Sequence, residues 1–266
     1  MDILTEPFML RALIAALILS VAGGVIGSFI QMRGMSFYTD TIAHSAFTGV
    51  ALGVLFGINV SWSSVAFAII VGMLVLAIRR QTRLSFDTVL GVLFAAVAAF
   101  GIFLLTFLRD VRVDLMGLLF GDVLALSNGD VALITAAATL SLAVLWAIHQ
   151  QIVLEIVHPD LAEVEGVPTR RNDIIFGVVV ATMIALGIKL IGIILLSGLF
   201  LIPSATSYLI ARSMRELVLG SALVGVVAAV GGVALSVALD TATGPTIALL
   251  AAVCFGIALL LRPSSR

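Results

Sequence analysis

The sequence carries very little charge for its length, and this shortage is its most informative property. Of its 266 residues only 11% are charged, whereas 62% are hydrophobic and the mean hydropathy is +1.27. An ordinary soluble domain has about 25% charged residues. The composition therefore excludes a water-soluble globular protein and predicts a chain that lives in a lipid bilayer.

Other shortages exclude classes of function. With 14 Lys+Arg against 15 Asp+Glu, the chain lacks the basic excess that binding to nucleic acid requires. The single cysteine, Cys254, can form neither an internal disulfide nor a multi-cysteine metal cluster. The single lysine, Lys189, is followed by leucine, whereas a P-loop lysine is followed by Ser or Thr. No nucleophile stands at a recognisable spacing from a base, so we expect a non-catalytic protein without a cofactor.

Long apolar runs make up most of the chain. A transmembrane helix needs roughly 20 mainly apolar residues, and about nine such runs occur, at 8–31, 38–57, 60–78, 87–108, 130–149, 172–190, 191–211, 216–238 and 244–261. We predict an all-α, polytopic membrane protein with eight or nine transmembrane helices in a single domain, 1–266. Because two runs abut at 190 and 191, we expect the chain to reverse or break around Gly187, Gly192 and Gly198, and Pro203 to disturb the following helix.

The distribution of the cationic residues predicts an orientation, because short cytoplasmic loops are enriched in Lys and Arg. With the N-terminus outside and the C-terminus in the cytoplasm, ten of the 14 cations lie inside. These ten are Arg33, Arg79, Arg80, Arg83, Arg170, Arg171, Arg212, Arg215, Arg262 and Arg266. Arg11, Arg109, Arg112 and Lys189 then lie towards the outside. The reverse orientation would invert the ratio, so we predict the first.

Two segments between the spans are expected to form short helices. The segment 109–129 contains the apolar run LMGLLF and is too short and too charged to span, so we expect a helix at the outer face. The longest polar stretch, 158–173, is expected to hold a helix over 159–165, with proline at its start and Gly166 after its end. A short helix outside the bilayer buries little against its own chain, so we expect it to dock on another protein.

Asp40 and His44 are the strongest candidates for a functional site. Ionisable side chains within a membrane span are costly and by default mark a ligand or transport pathway. At a spacing of four they share one helical face, and carboxylate and imidazole are both ligands for a divalent ion such as Zn²⁺. Other helices, a second copy of the chain or water must complete the coordination. The alternative is an Asp–His hydrogen bond that serves helix packing, and the spacing alone does not separate the two.

Several separated motifs resemble a known family, the permease subunits of bacterial ABC importers for zinc and manganese, and among them most closely the zinc-uptake permeases. The motifs are MSFYTDTIAH, RVDLMGLLFGDVLALS, HPDLAEVEGV, KLIGIILLSGLFLIPSATS and DTATGPTIALL, which occur in this order along the chain. The resemblance implies the fold of a type II ABC importer in the bacterial cytoplasmic (inner) membrane. It also implies that metal ions pass along Asp40 and His44.

The same resemblance implies the partners: a second permease copy in a homodimer, a cytoplasmic dimer of ABC ATPases and an extracytoplasmic metal-binding protein. The coupling loop, about 158–171, would seat in the ATPase through Pro159, Asp160, Leu161, Glu163 and Gly166. Zn²⁺ is the expected cargo, with Mn²⁺ or Fe²⁺ as the alternative, because relatives for those ions share the Asp-x-x-x-His arrangement. From other classes, an ion-gradient-driven secondary transporter and a structural membrane scaffold are alternatives, but the first leaves the loop helix unexplained and the second leaves Asp40 and His44 without a purpose.

Overall fold

A computed structural model describes residues 6–107, 115–121 and 126–261. The elements assigned in these ranges are all helices, as the sequence predicts. They are α1 (Pro7–Met32), α2 (Ser36–Phe56), α3 (Val60–Gln81), α4 (Phe86–Leu105), α5 (Leu115–Phe120), α6 (Asn128–Val157), α7 (Pro159–Val164), α8 (Thr169–Ile191), α9 (Ile193–Ile210), α10 (Met214–Leu239) and α11 (Thr243–Leu260). Of the cations used for the orientation, Arg109, Arg112, Arg262 and Arg266 lie outside the described residues.

Each predicted apolar run corresponds to one long helix, but fewer of these helices qualify as membrane spans than expected. In the described ranges seven helices are long and apolar enough to cross a bilayer, instead of the expected eight or nine. The two others are α2, in which Asp40, His44 and several hydroxyl side chains interrupt the apolar surface, and α9, whose side chains are described without a gap only over Gly198–Ile210. The chain is thus a multi-pass membrane protein, and the candidate site lies on α2, the long helix whose apolar surface polar side chains interrupt.

The expected break between the two abutting runs occurs at one of the three candidate glycines. Gly192 has a φ of 86°, a left-handed conformation that favours glycine, and it separates α8 from α9. A Cβ at this position would also collide with the backbone at Leu119 of α5. The break therefore lies where the sequence predicts it, and the two flanking glycines, Gly187 and Gly198, lie within continuous helices. Pro203 likewise lies inside α9 without ending it.

The described helices divide into two compact units. The first contains α1, α5, α9, α10 and α11, and the second contains α2, α3, α4 and α7, with α6 and α8 contributing residues to both. In the first unit, glycines allow helix backbones to approach closely. A Cβ at Gly27 would overlap the carbonyl oxygen of Phe200, and a Cβ at Gly24 would lie 2.7 Å from the backbone of Ser221. Ser28 Oγ adds a hydrogen bond of 3.0 Å to Ser221 Oγ.

The second unit is built around α2. Gly49 brings α2 against α3, where Ser63 Oγ donates to the Gly49 carbonyl at 2.7 Å. Tyr38 is fully buried and its hydroxyl donates to the Gly177 carbonyl of α8 at 3.4 Å. Gly72 of α3 leaves the room for that hydroxyl, since a Cβ there would lie 2.5 Å from it. Helix α2 is therefore held on several sides, which suits a helix that must present side chains in a defined geometry.

The short helix α7 confirms the expectation of a helical piece after residue 158. Pro159 occupies its first turn, and Gly166 follows its end with a φ of 69°. The Val167 N–H bonds to the Ala162 carbonyl at 2.9 Å, and the Gly166 N–H to the Glu163 carbonyl at 3.0 Å. This is the hydrogen-bond pattern of a Schellman motif, which uses a left-handed residue to end a helix. The expected short helix in 109–129 is α5, and residues 109–114 and 122–125 of that region lie outside the described residues.

Candidate functional site

The candidate metal site lies on the face of α2 that carries Asp40 and His44. Both side chains are half-buried, whereas most neighbouring residues of the helix, including Tyr38, Ile42 and Ser45, are buried. The spacing of four places both side chains on one face, as the sequence predicts. This face therefore holds two groups that can offer an oxygen and a nitrogen to an ion while remaining partly accessible.

Two threonine hydrogen bonds determine how α2 and α4 are aligned. Thr41 Oγ1 donates to the Leu90 carbonyl at 3.4 Å, and Thr48 Oγ1 donates to the Val97 carbonyl at 2.9 Å. The two donors are seven residues apart on α2, and the two acceptors are seven residues apart on α4. The two hydrogen bonds therefore repeat in the same register along the helices. His44 lies between the two threonines in the sequence and Phe94 lies between their acceptors, and this register brings the two rings together.

Phe94 supports the imidazole and was not anticipated from the sequence. Its ring lies edge-on to His44, with a centroid distance of 4.6 Å and an interplanar angle of 74°. It also contacts the Phe37 ring edge-on at 6.4 Å. An aromatic edge against the imidazole restricts the orientation of that ring. Among fifteen phenylalanines, no spacing in the sequence distinguishes Phe94.

The hydrogen-bonding alternative for Asp40 and His44 has no counterpart in the described contacts. Across residues 6–107, 115–121 and 126–261, no hydrogen bond or ion pair joins Asp40 to His44 or either side chain to a third residue. The described part of the chain also contains no group of three or more His, Cys, Asp or Glu side chains that could hold a metal ion. Within the described residues, Asp40 and His44 are therefore a pair of candidate donors without a third such side chain beside them.

The candidate docking residues lie together on α7 and just after it. Pro159, Asp160, Leu161, Glu163 and Gly166 are all exposed, while Ala162 is buried and anchors the helix. Val164, which the sequence analysis did not single out, is 85% exposed and lies three residues after Leu161. The two apolar side chains therefore share a face, and exposed acidic groups surround them. Spacing on a short helix could have identified Val164.

A buried ionic cluster is a feature that the sequence analysis missed. Arg33 donates from Nη1 to Asp173 Oδ1 at 2.7 Å and from Nη2 to Glu155 Oε2 at 2.9 Å. Arg80 Nη2 donates to Asp173 Oδ2 at 2.8 Å, and Asn172 Nδ2 donates to Glu155 Oε1 at 2.6 Å. We call these five residues the Arg33 cluster. Its members come from four separate parts of the chain, so no local pattern could have predicted it.

Comparisons with known proteins find similar sequences over almost the whole chain. The ABC 3 transport family matches residues 5–262. The high-affinity zinc uptake system membrane protein ZnuB of Haemophilus influenzae is 33% identical over 251 residues, which cover 94% of this chain and 96% of that protein. The manganese transport system membrane protein MntC of Halalkalibacterium halodurans is 29% identical over 262 residues, 98% of this chain and 90% of that protein.

A solved structure has the same fold over the whole length. PsaBC from Streptococcus pneumoniae, determined in complex with an Fab, superposes with a TM-score of 0.88 at 27% sequence identity. The superposition covers 100% of this chain and 95% of the matched chain. The likeness therefore extends over all eleven described helices and is not restricted to one unit.

Proposed function

The chain belongs to the ABC 3 transport family, and from this premise we propose that it forms the membrane pathway of an ATP-driven importer of divalent transition-metal ions, with Zn²⁺ as the cargo. A separate ATPase supplies the energy, since the chain has no P-loop of its own. Family membership removes the secondary transporter and the structural scaffold as alternatives. An importer of Mn²⁺ or Fe²⁺ remains the second candidate, because both zinc and manganese proteins are among the relatives.

The observation that carries the proposal is the pair Asp40 and His44 on the accessible face of α2. A carboxylate and an imidazole without a described ion-pair partner form a transient oxygen and nitrogen site for a divalent ion. A transport site must bind weakly enough to release its cargo. Two donors from each protomer suit this requirement better than a closed cage of four ligands, which holds zinc permanently in structural sites. Water or a second copy of the chain completes the coordination.

The docking function of α7 follows from its exposed surface. Leu161 and Val164 form a small apolar face, and Asp160, Glu163 and Glu165 place negative charge around it. Exposed apolar side chains with a polar rim are the usual composition of a protein interface. We assign this face to the contact with the cytoplasmic ATPase dimer. The assembly would comprise two permease copies, two ATPases and an extracytoplasmic metal-binding protein.

The assignment of α7 to the ATPase requires the N-terminus outside and the C-terminus in the cytoplasm of a bacterial inner membrane. The excess of arginine in the predicted inner loops supports this orientation. Single cysteines at Thr82 and Glu165, introduced with Cys254→Ser, would report it through an impermeant maleimide. Both positions should remain unlabelled in intact cells and react after lysis. Labelling of either one in intact cells would contradict the orientation.

Metal uptake by the reconstituted complex tests the function. The permease, co-purified with its ATPase and supplied with its binding protein, is placed in vesicles, and accumulation of Zn²⁺ is measured with ATP and without it, in the presence of increasing Mn²⁺. We expect ATP-dependent Zn²⁺ accumulation that withstands equimolar Mn²⁺. Preferential accumulation of Mn²⁺, or of Fe²⁺ supplied in a parallel run, would assign the second candidate. A lack of ATP-dependent uptake of all three ions would reject the proposal.

A further inference from the structure

The Arg33 cluster connects the segment that carries α7 to the start of α2. Glu155 lies in the last turn of α6 and Asp173 lies near the start of α8, so these two residues stand at the two ends of the α7 segment. Arg33 lies between the end of α1 and the start of α2, seven residues before Asp40. One guanidinium thus joins both ends of the proposed docking segment to the helix that carries the proposed metal ligands.

The connection is costly to break, because it is buried and each nitrogen has its own partner. The side chains of Arg33 and Glu155 are only 8% and 10% exposed. The planar guanidinium presents Nη1 to one carboxylate and Nη2 to the other, a geometry that a lysine ammonium does not reproduce. Loss of one partner would leave a buried charge unpaired, which is strongly unfavourable. The two ends of the α7 segment and the start of α2 are therefore held to each other.

Two further contacts attach this region to α8. The Arg33 guanidinium carbon lies 4.8 Å from the ring centroid of Phe176 on α8, within the range of a cation–π contact. Further along α2, the Tyr38 hydroxyl donates to the Gly177 carbonyl of the same helix. The start of α2 is thus attached to α8 at two successive levels, and a displacement of α8 acts on α2 directly.

The surroundings of the cluster leave room for rearrangement. A cavity of about 340 Å³ is lined by Arg33, Arg79, Glu155, Thr169 and Asp173, and a second of about 300 Å³ is lined by Leu76, Arg80, Arg170 and Asp173. Close-packed interiors resist small displacements, whereas a cluster bordered by open space can shift. The buried Asn172 Oδ1 accepts no hydrogen bond from a described residue, so the cluster contains an acceptor that is not used in this arrangement.

We propose that Arg33 is a positioning residue that transmits movement of the α7 segment to α2, and thereby sets whether Asp40 and His44 receive or release the ion. This inference rests on the proposed function, because it requires an ATPase that moves α7. Arg33 touches neither the ion nor ATP, and it acts through the two carboxylates of the cluster. Its removal uncouples ATP hydrolysis from metal transport, while the ATPase still hydrolyses ATP and Asp40 and His44 remain available to the ion.

The test compares variants of the complete complex in vesicles by the number of Zn²⁺ ions imported per ATP hydrolysed. Arg33→Gln removes the bridging charge, and Asp173→Asn removes one carboxylate while the pair between Arg33 and Glu155 remains. Arg33→Lys keeps the positive charge but lacks the two guanidinium nitrogens that donate to separate carboxylates. Arg83→Gln is the matched control, since it removes an exposed arginine in the loop after α3. The amount of ATPase bound to each purified variant is measured in parallel.

We expect Arg33→Gln and Asp173→Asn to bind the ATPase and hydrolyse ATP at parental rates while the Zn²⁺ imported per ATP falls at least about tenfold. Arg33→Lys should give an intermediate ratio, and Arg83→Gln the parental one. A parental ratio in an assembled Arg33→Gln or Asp173→Asn complex would overturn the inference. So would a parallel loss of hydrolysis and uptake, or a failure of both variants to assemble, since either result would make the cluster purely structural. If the parental complex imports no metal, the proposed function fails first, independently of the variants.

Discussion

The two charged regions of the second unit are built in opposite ways. In the Arg33 cluster each charged side chain has an oppositely charged partner within 3 Å, and the central arginine is almost fully buried. Asp40 and His44 lie two turns further along, on α2, half-buried and without an ion pair among the described residues. Buried charges persist in proteins when they are paired. A pair of ionisable groups kept in a membrane protein without such partners points instead to a ligand that arrives from outside.

A third set of charges, on α7, sharpens this contrast. Glu155 and Glu163 lie eight residues apart, yet the first is engaged by Arg33 and Asn172 and the second is exposed. The same side chain thus serves an internal connection in one position and a surface in the other. Whether a charged side chain is paired inside the protein or left exposed thus depends on its partners and not on the residue type.

The largest effect is expected at Asp40 and His44. Asp40→Asn keeps the size of the side chain but removes its charge, and His44→Leu removes the donor nitrogen. Each should lower Zn²⁺ uptake about 100-fold or more, because a ligand to the ion is lost, while ATPase binding stays unchanged. The measurement is uptake in vesicles, with Asp87→Asn as the control, an exposed acid in the first turn of α4. Parental uptake by both variants would mean that the pair only packs helices.

The next largest effect concerns stability within the Arg33 cluster. Arg33→Gln should lower the free energy of unfolding by about 3 kcal/mol, since it leaves two buried carboxylates without their bridge. Arg80→Gln should cost less than about 1 kcal/mol, because that side chain is 39% exposed and its ion pair is screened by water. Denaturation of the purified variants in detergent, followed by circular dichroism, checks the order. Equal losses would show that burial does not govern this cluster.

Charge reversal on the exposed surface is expected to act on coupling without a comparable loss of stability. Glu163→Lys should reduce uptake per ATP about tenfold by disturbing a charged interface. Gly166→Pro should do the same, because proline has a φ near −65° and cannot adopt the 69° observed here. Parallel measurements of uptake, ATP hydrolysis and thermal stability separate the two effects. Normal coupled transport in both variants would rule out docking through α7.

The smallest effect is expected from the threonines that align α2 with α4. Thr48→Val is nearly isosteric and removes the 2.9 Å hydrogen bond to Val97, at a cost of about 0.6 kcal/mol within a membrane. Thr41→Val removes a bond of 3.4 Å and should cost less. Denaturation of both variants against the parental protein checks the order. A larger loss for Thr41→Val would show that the register depends on other contacts.

Much of the fold could be predicted from local features of the chain. The apolar runs located the long helices to within a few residues, except that α6 continues to Val157, eight residues past the predicted run. A proline followed by a glycine located α7, because each of these signals acts on its own neighbourhood. The predicted number of spans was less accurate, because α2 is long enough to cross a bilayer but carries polar side chains that lower its hydropathy. The spacing of Asp40 and His44 identified the candidate face, but it could not distinguish a ligand pair from a hydrogen-bonded pair.

The sequence by itself determined that the chain enters a membrane as a set of helices and which side chains could not lie there without a purpose, because transfer of each segment into lipid depends on its own composition. Only the tertiary structure decided which charges are satisfied. Arg33 meets Glu155 and Asp173 across 122 and 140 residues of chain, and His44 meets Phe94 through the register of two helices. Such pairings depend on how the helices pack, and packing is a property of the whole unit that no local pattern contains.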